Sequence, residues 1–306
     1  MKLRSILLLA SFAVAGVSQA QTVYTVSGSN LNTFDATAPG AAFATSPISG
    51  LTAGDVVIGL DRRPANGALV LVVDGAASDR LFTLNPSSGQ ASLLSTLAAD
   101  PADLTAPFTG FTGAAFGTDF NPVPDRLRVT SDTGQNLRIN VDSGLVTTDL
   151  PLGGATASIQ ASGYTNSFSG SSSTTLYGIN GATDSLYTQN PPNDGTQVLT
   201  GPLGVDTGNT IGLDILTNNG ATIANTAYAG LFVGGFTNLY TVNLTTGAAT
   251  LVGRLGTGAV IQGFAVVAGA PGGTGASGVP TFGTGGLVLL GLLLGAFAIV
   301  VIRQSR

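Results

Sequence analysis

One short signature, returning along the chain at near-constant spacing, limits what this sequence can fold into. It reads Leu81-Phe82-Thr83-Leu84-Asn85-Pro86-Ser87-Ser88-Gly89 in one copy and Leu239-Tyr240-Thr241-Val242-Asn243-Leu244-Thr245-Thr246-Gly247 in another. Further copies run Leu137–Gly144, Leu186–Gly195 and Leu31–Gly40. The Asn or Asp before each turn stands at 35, 85, 140, 190 and 243, in steps of 50, 55, 50 and 53 residues. Alternating apolar residues make each copy a strand. The Asn or Asp opens a turn through its side chain, and the Gly supplies positive φ. A second strand follows each Gly, as in Ala91–Leu94 and Ala249–Val252.

A second signature interleaves with the first. Ile58-Gly59-Leu60-Asp61 corresponds to Phe116-Gly117-Thr118-Asp119 and to Ile211-Gly212-Leu213-Asp214. Looser copies are Ser162-Gly163-Tyr164-Thr165 and Gln262-Gly263-Phe264-Ala265. A further strand follows each of the first four, such as Ala68–Val73 and Arg126–Thr130. Each unit is therefore four strands, the signature of a propeller blade. Four units run complete, at about 54–99, 111–153, 157–204 and 209–257. Residues 22–50 supply three strands without the innermost, and 258–268 supply an innermost strand alone. Joining the two ends makes a fifth blade and removes the open sheet edges of an unclosed stack. The expected fold is all-β: a five-bladed β-propeller of four-stranded blades, closed by pairing N- and C-terminal strands. A pair of β-sandwiches is the competing architecture; a β-solenoid has rungs too short for this period.

Composition narrows the chemistry. There is no Cys, His or Trp, and all sixteen acidic residues are Asp. That excludes a disulfide framework, a thiolate metal site, a Cys nucleophile and a Ser-His-Asp triad. Charged residues make up only 9% of the chain, and the only Lys is Lys2. So few cations argue against nucleic acid as a partner. Forty-four glycines with abundant Thr, Val and Ser favour strands and tight turns over helices.

Both ends read as addresses. Residues 1–20 have a basic start, an apolar run from Ile6 to Val17, and Ser18-Gln19-Ala20, the pattern of a cleaved signal peptide. The chain from Gln21 then carries nine Arg against sixteen Asp, a net charge of −7. After the globular region, 21–268, comes a Gly-rich linker and sorting motif, 269–280, and then an apolar stretch, 281–306, with Arg303 and Arg306 at its end. Eighteen uncharged residues from Gly285 to Ile302 are enough for one transmembrane helix with a cytoplasmic basic tail.

Two resemblances accompany these readings. Val279-Pro280-Thr281, the apolar stretch and the Arg tail resemble bacterial C-terminal sorting tails of the IPTL-CTERM or PEP-CTERM kind, with Val279 and Phe282 departing from Ile-Pro-Thr-Leu. That resemblance implies a Gram-negative bacterium and an exosortase-type sorting enzyme as partner, beside signal peptidase. The segment Phe116-Gly117-Thr118-Asp119-Phe120-Asn121-Pro122-Val123-Pro124-Asp125-Arg126-Leu127-Arg128-Val129, with Gln135–Arg138 and Gln189–Thr196, resembles bacterial secreted proteins of domain of unknown function 4394. Ile58–Pro64 is similar to that family's Gly-x-Asp-x-Arg-Pro segment. The family resemblance implies a secreted, propeller-like domain and no established reaction.

Two residue sets stand out as candidate sites. Asp61, Asp119 and Asp214 occupy one position in three blades, on strands expected to line the central channel. Three carboxylates near one axis could bind Ca²⁺ through oxygen, serve as acid/base groups on a sugar, or hydrogen-bond backbone at blade turns. Repetition is the natural mark of the structural role. No other cofactor is expected. The second set is Asp125, Arg126, Arg128, Asn136 and Arg138. It reads as an anion grip or as an Asp–Arg network tying two blades together. Tyr177, Tyr187 and Tyr240 fall in strand signatures and are expected to pack between blades. The preferred functional expectation is a non-catalytic adhesion, matrix or ligand-binding propeller. It sits at the cell envelope or surface, anchored or released after processing. The alternative is an extracellular carbohydrate-active enzyme using the channel Asp residues.

Overall fold

The computed structural model describes residues 21–40, 43–208, 211–256 and 258–269. The expected signal peptide, the linker beyond Gly269, the sorting motif and the transmembrane stretch lie outside them. Among the described residues no helix is long and apolar enough to cross a membrane.

The chain forms five antiparallel sheets, one per blade. Blade 1 is closed as expected: Gly263–Ala268 pairs with Gln21–Ser27, followed outward by Asn30–Asp35 and Phe43–Pro47. Blade 2 begins on Val56–Arg62, blade 3 on Phe116–Asn121, blade 4 on Ala161–Tyr164 and blade 5 on Gly212–Asn219. Blades 3 and 4 each gain a two-residue parallel strand at the outer edge, Ala98–Ala99 and Gly153–Gly154.

The turn signature has the expected local cause and a further one. Oδ1 of Asp35, Asn85, Asn140 and Asn243 accepts N–H groups within its own turn, at 2.8–3.2 Å. Four of the five turn glycines also press against the outer end of the preceding blade; Gly40 has neither the close contact nor a positive φ. A Cβ on Gly89, Gly144, Gly195 or Gly247 would lie 2.1–2.3 Å from the carbonyl oxygen of Pro47, Thr96, Pro151 or Gly201. All four have φ between +68° and +81°. The repeat is thus a clasp between blades as well as a hairpin.

Apolar clusters fill most blade interfaces. Leu60, Leu71 and Phe82 pack with Tyr24, Val26 and Leu31; Val70, Val72 and Leu81 pack with Phe120, Leu127 and Val129. Between blades 3 and 4 the apolar cluster shrinks to Leu152, Ile159 and Tyr187. A buried polar network takes the place of the missing apolar contacts there. Tyr187 and Tyr240 are buried, and Tyr177 packs against the cluster of blades 4 and 5, as expected of strand aromatics.

Candidate functional site

Strand pairing puts the innermost strands in common register around the channel. The ring position of Asp61, Asp119 and Asp214 is completed by Gly163 in blade 4 and Ala265 in blade 1. Blade 4 therefore departs from the sequence alignment: Gly163 stands at the Asp position, and Ala161 at the Gly position. Two residues earlier in the ring lie Gly59, Gly117, Gly212 and Gly263. A Cβ on any of these would meet the next blade at 2.3–2.7 Å, so glycine lets the inner strands crowd the axis.

That crowding brings the three carboxylates together. One oxygen from each lies within 4.8 Å of the others, and all three residues are buried, at 2–5% exposure. Their partners are main-chain N–H groups on the free inner edges of neighbouring blades. Phe120 N donates to Asp61 Oδ2 at 2.7 Å, Tyr164 N to Asp119 Oδ1 at 3.1 Å and Val266 N to Asp214 Oδ2 at 2.5 Å. Blades 2 and 5 follow blades without an Asp. There, Arg62 N donates to Asp61 Oδ1 at 2.6 Å, and Ile215 N donates to Asp214. Three carboxyl groups thus satisfy one edge N–H on every blade. The backbone role foreseen for these residues is real, but it joins blades across the channel rather than closing turns within them. The N–H groups would otherwise be buried without partners, which costs about 1–3 kcal/mol each.

Burial and mutual repulsion push Asp61 and Asp119 well above the usual carboxylate range, and burial pushes Asp214 up to about 6. The sign of the pH effect follows. An acid whose folded value exceeds its unfolded value contributes stability below the unfolded value and loses it as pH rises through the folded one. For Asp214 the loss runs from the ordinary carboxylate value up to its folded value of about 6, and Asp61 and Asp119 carry it further. Asp103 and Asp142, held low by hydrogen bonds from Thr148 N–H and from Arg63, act oppositely in acid. The thermal midpoint should peak near about pH 4–5 and fall toward pH 8. A midpoint that rises from pH 5 to pH 8 in a melting series would contradict this.

The second candidate set separates into three environments. Asp125 takes Arg63 of blade 2 at 2.5–3.0 Å, and Arg63 also grips Asp142 at 2.7–2.8 Å. Arg128 is 1% exposed and donates to Asp149 (2.6 Å), Asn136 (2.8 Å), Asn193 of blade 4 (2.9 Å) and Tyr164 of blade 4 (3.3 Å). Arg138 also grips Asp149, at 2.7 and 2.8 Å. Arg126 turns to the carbonyls of Pro124 and Asp125. Arg126 and Arg138 do flank a surface cleft of about 80 Å³, but Asp100 lines it too. The cluster is mainly a network between blades, and sequence reasoning missed its long-range members Arg63, Asp142 and Asp149.

A larger feature also escaped the sequence reading. Where the inner strands start, the channel opens into a cavity of about 320 Å³. Ile58, Phe116, Gln160, Ile211 and Gln262, one from each blade, line it with Asp132. The available signal was the residue before each ring Gly. A cavity of about 20 Å³ marks the opposite end, beside Asp61, Arg62 and Asp214.

The family described as a domain of unknown function (DUF4394) matches residues 30–265. No curated protein matches the chain significantly. Among solved structures, the chain is similar to one in a nidogen/laminin complex, at 9% identity and TM-score 0.48, covering 82% of this chain and 100% of that one. It is also similar to TolB from Acinetobacter baumannii, at 12% identity and TM-score 0.39, covering 78% of this chain and 53% of that one.

Proposed function

The chain belongs to the DUF4394 family, whose description names no reaction, and we propose from its own geometry that it is an exported, non-catalytic binding propeller. The observation that carries this reading is the closure of the carboxylate ring. Sugar cleavage needs two carboxyl groups flanking an open substrate site, about 5–9.5 Å apart. Here the carboxyl oxygens lie within 4.8 Å, are buried, and are tied to main-chain N–H groups. The alternative of a carbohydrate-active enzyme has no room for substrate at these residues. On this reading signal peptidase releases the chain, an exosortase-type enzyme acts on its tail, and the C-terminal helix holds it at the envelope until then. An unidentified extracellular ligand meets the channel mouth.

A Ca²⁺ site at the same carboxylates is a second reading, favoured by their convergence. Ca²⁺ takes six to eight oxygens at about 2.3–2.6 Å. Gly163 and Ala265 add no side-chain oxygen to the ring, so the hydrogen-bond role is preferred.

Two measurements test the proposal. Fractionation of cells making the full chain should place it in the envelope or the medium; a wholly cytosolic protein would overturn export. Incubation with soluble polysaccharides should release no new reducing ends. Release that disappears in Asp119→Asn would overturn the non-catalytic reading.

A further inference from the structure

We propose that the channel mouth binds an organic ammonium ion carrying an apolar body. The inference rests on the binding-propeller reading and names the chemistry of its ligand. At about 320 Å³ the cavity has the size of a small-molecule site. Eight of its eleven lining residues are apolar, Ile58, Phe116, Ile211 and Ile261 among them, and polar groups supply the rest of its surface.

Few polar groups remain to orient a ligand. Gln160 is used internally: its Oε1 accepts Gly181 N and its Nε2 donates to Ser158. Gln262 Oε1 accepts Gly28 N at 2.7 Å, and its neutral Nε2 has no partner among the described residues. Asp132 is the charged group of the lining. Its Oδ1 accepts Ala114 N at 2.9 Å, and its Oδ2 has no partner among the described residues. One carboxylate oxygen at an apolar wall selects a donor, and a charged donor above all.

The surroundings supply no positive charge. No basic side chain lines the cavity among the described residues. Arg63, Arg80, Arg128 and Arg138 are all committed to carboxylates elsewhere. Further down the channel, about 10 Å along the strands, come Asp61, Asp119 and Asp214, which are not cations. An anion would meet no counter-charge. A bare metal ion would meet one carboxylate where it needs a shell of oxygens. An ammonium ion with an aryl or alkyl body fits both the walls and Asp132. A free amine and a lysine side chain share this chemistry.

The test is calorimetric titration of the intact chain with 2-phenylethylammonium, 2-phenylethanol, 3-phenylpropanoate and an end-blocked lysine tripeptide. Wild type and the variants Asp132→Asn and Ala114→Trp are compared; Ala114 is exposed, so the Trp plugs the mouth without entering the core. The ammonium should bind about tenfold more tightly than the alcohol, weaken about tenfold in Asp132→Asn, and lose binding in Ala114→Trp. A tighter free amine assigns a small-molecule ligand; a tighter tripeptide assigns a polypeptide lysine; either supports the proposal. Equal or tighter binding of the alcohol or carboxylate, lost in Ala114→Trp, would overturn the ammonium and leave the mouth as the binding face. Binding of no probe, or binding that survives the plug, would overturn both.

Discussion

Replacing Arg128 with alanine is expected to lower unfolding free energy by about 3–5 kcal/mol, the usual cost of breaking a buried ion pair from one side. Four groups lose a donor at once: Asp149, Asn136, Asn193 and Tyr164. Asp149 is 5% exposed on its side chain and, among the described residues, retains only Arg138, whose side chain is 34% exposed. Arg138→Ala should therefore cost much less, since Arg128 would still neutralise the same carboxylate. Arg128→Lys should rescue little. A single ammonium cannot reach the separate directions that one guanidinium fork serves. Urea midpoints at constant m-value measure each step. A loss for Arg128→Ala below that for Arg138→Ala would contradict the network.

The second large effect is at the clasp. Gly144→Ala should cost about 3 kcal/mol, combining strain at positive φ with a main-chain collision. Its φ is +73°, and the new Cβ would lie 2.1 Å from Thr96 O on the preceding blade. Gly234 isolates the two contributions. It has φ +64° with nothing near a Cβ, so Gly234→Ala should cost about 1 kcal/mol from strain alone. Thermal or urea unfolding of the pair decides the matter. Equal losses would mean that the turn glycine serves only its own hairpin.

The architecture was readable because its causes are local and repeated. Asn85 and Gly89 build their own turn, and an alternating strand shows its period directly. The missing innermost strand at the N-terminus and the spare one at the C-terminus followed from counting. Blade 4 misled for a physical reason. Its inner strand carries Ala161 and Gly163 where blades 2, 3 and 5 carry Gly and Asp. An alignment anchored on Gly slips by two residues, and a two-residue slip preserves the faces of a strand. Apolar patterning cannot detect it.

The candidate site was readable in its members and less so in its meaning. Repetition marked Asp61, Asp119 and Asp214, and the channel position followed from strand order. Their partners are N–H groups of Phe120, Tyr164 and Val266, which carry no side-chain signal. Arg63 and Asp142 lie 79 positions apart, a pairing that only the packing of blade 3 on blade 2 creates. The mouth cavity is likewise a product of five strand starts meeting. Its wall residues, Ile58, Phe116 and Ile211, look on their own like ordinary core residues.

The channel carboxyl groups join blades by accepting main-chain N–H groups. Calorimetric Ca²⁺ titration of the wild type beside an Asp61→Ala, Asp119→Ala, Asp214→Ala variant tests this role most directly, with a melting curve for each. No saturable heat is expected in either protein, with a lower melting temperature in the variant at pH 5. Saturable Ca²⁺ binding in the wild type, absent from the variant, would contradict it and make the ring a cation site.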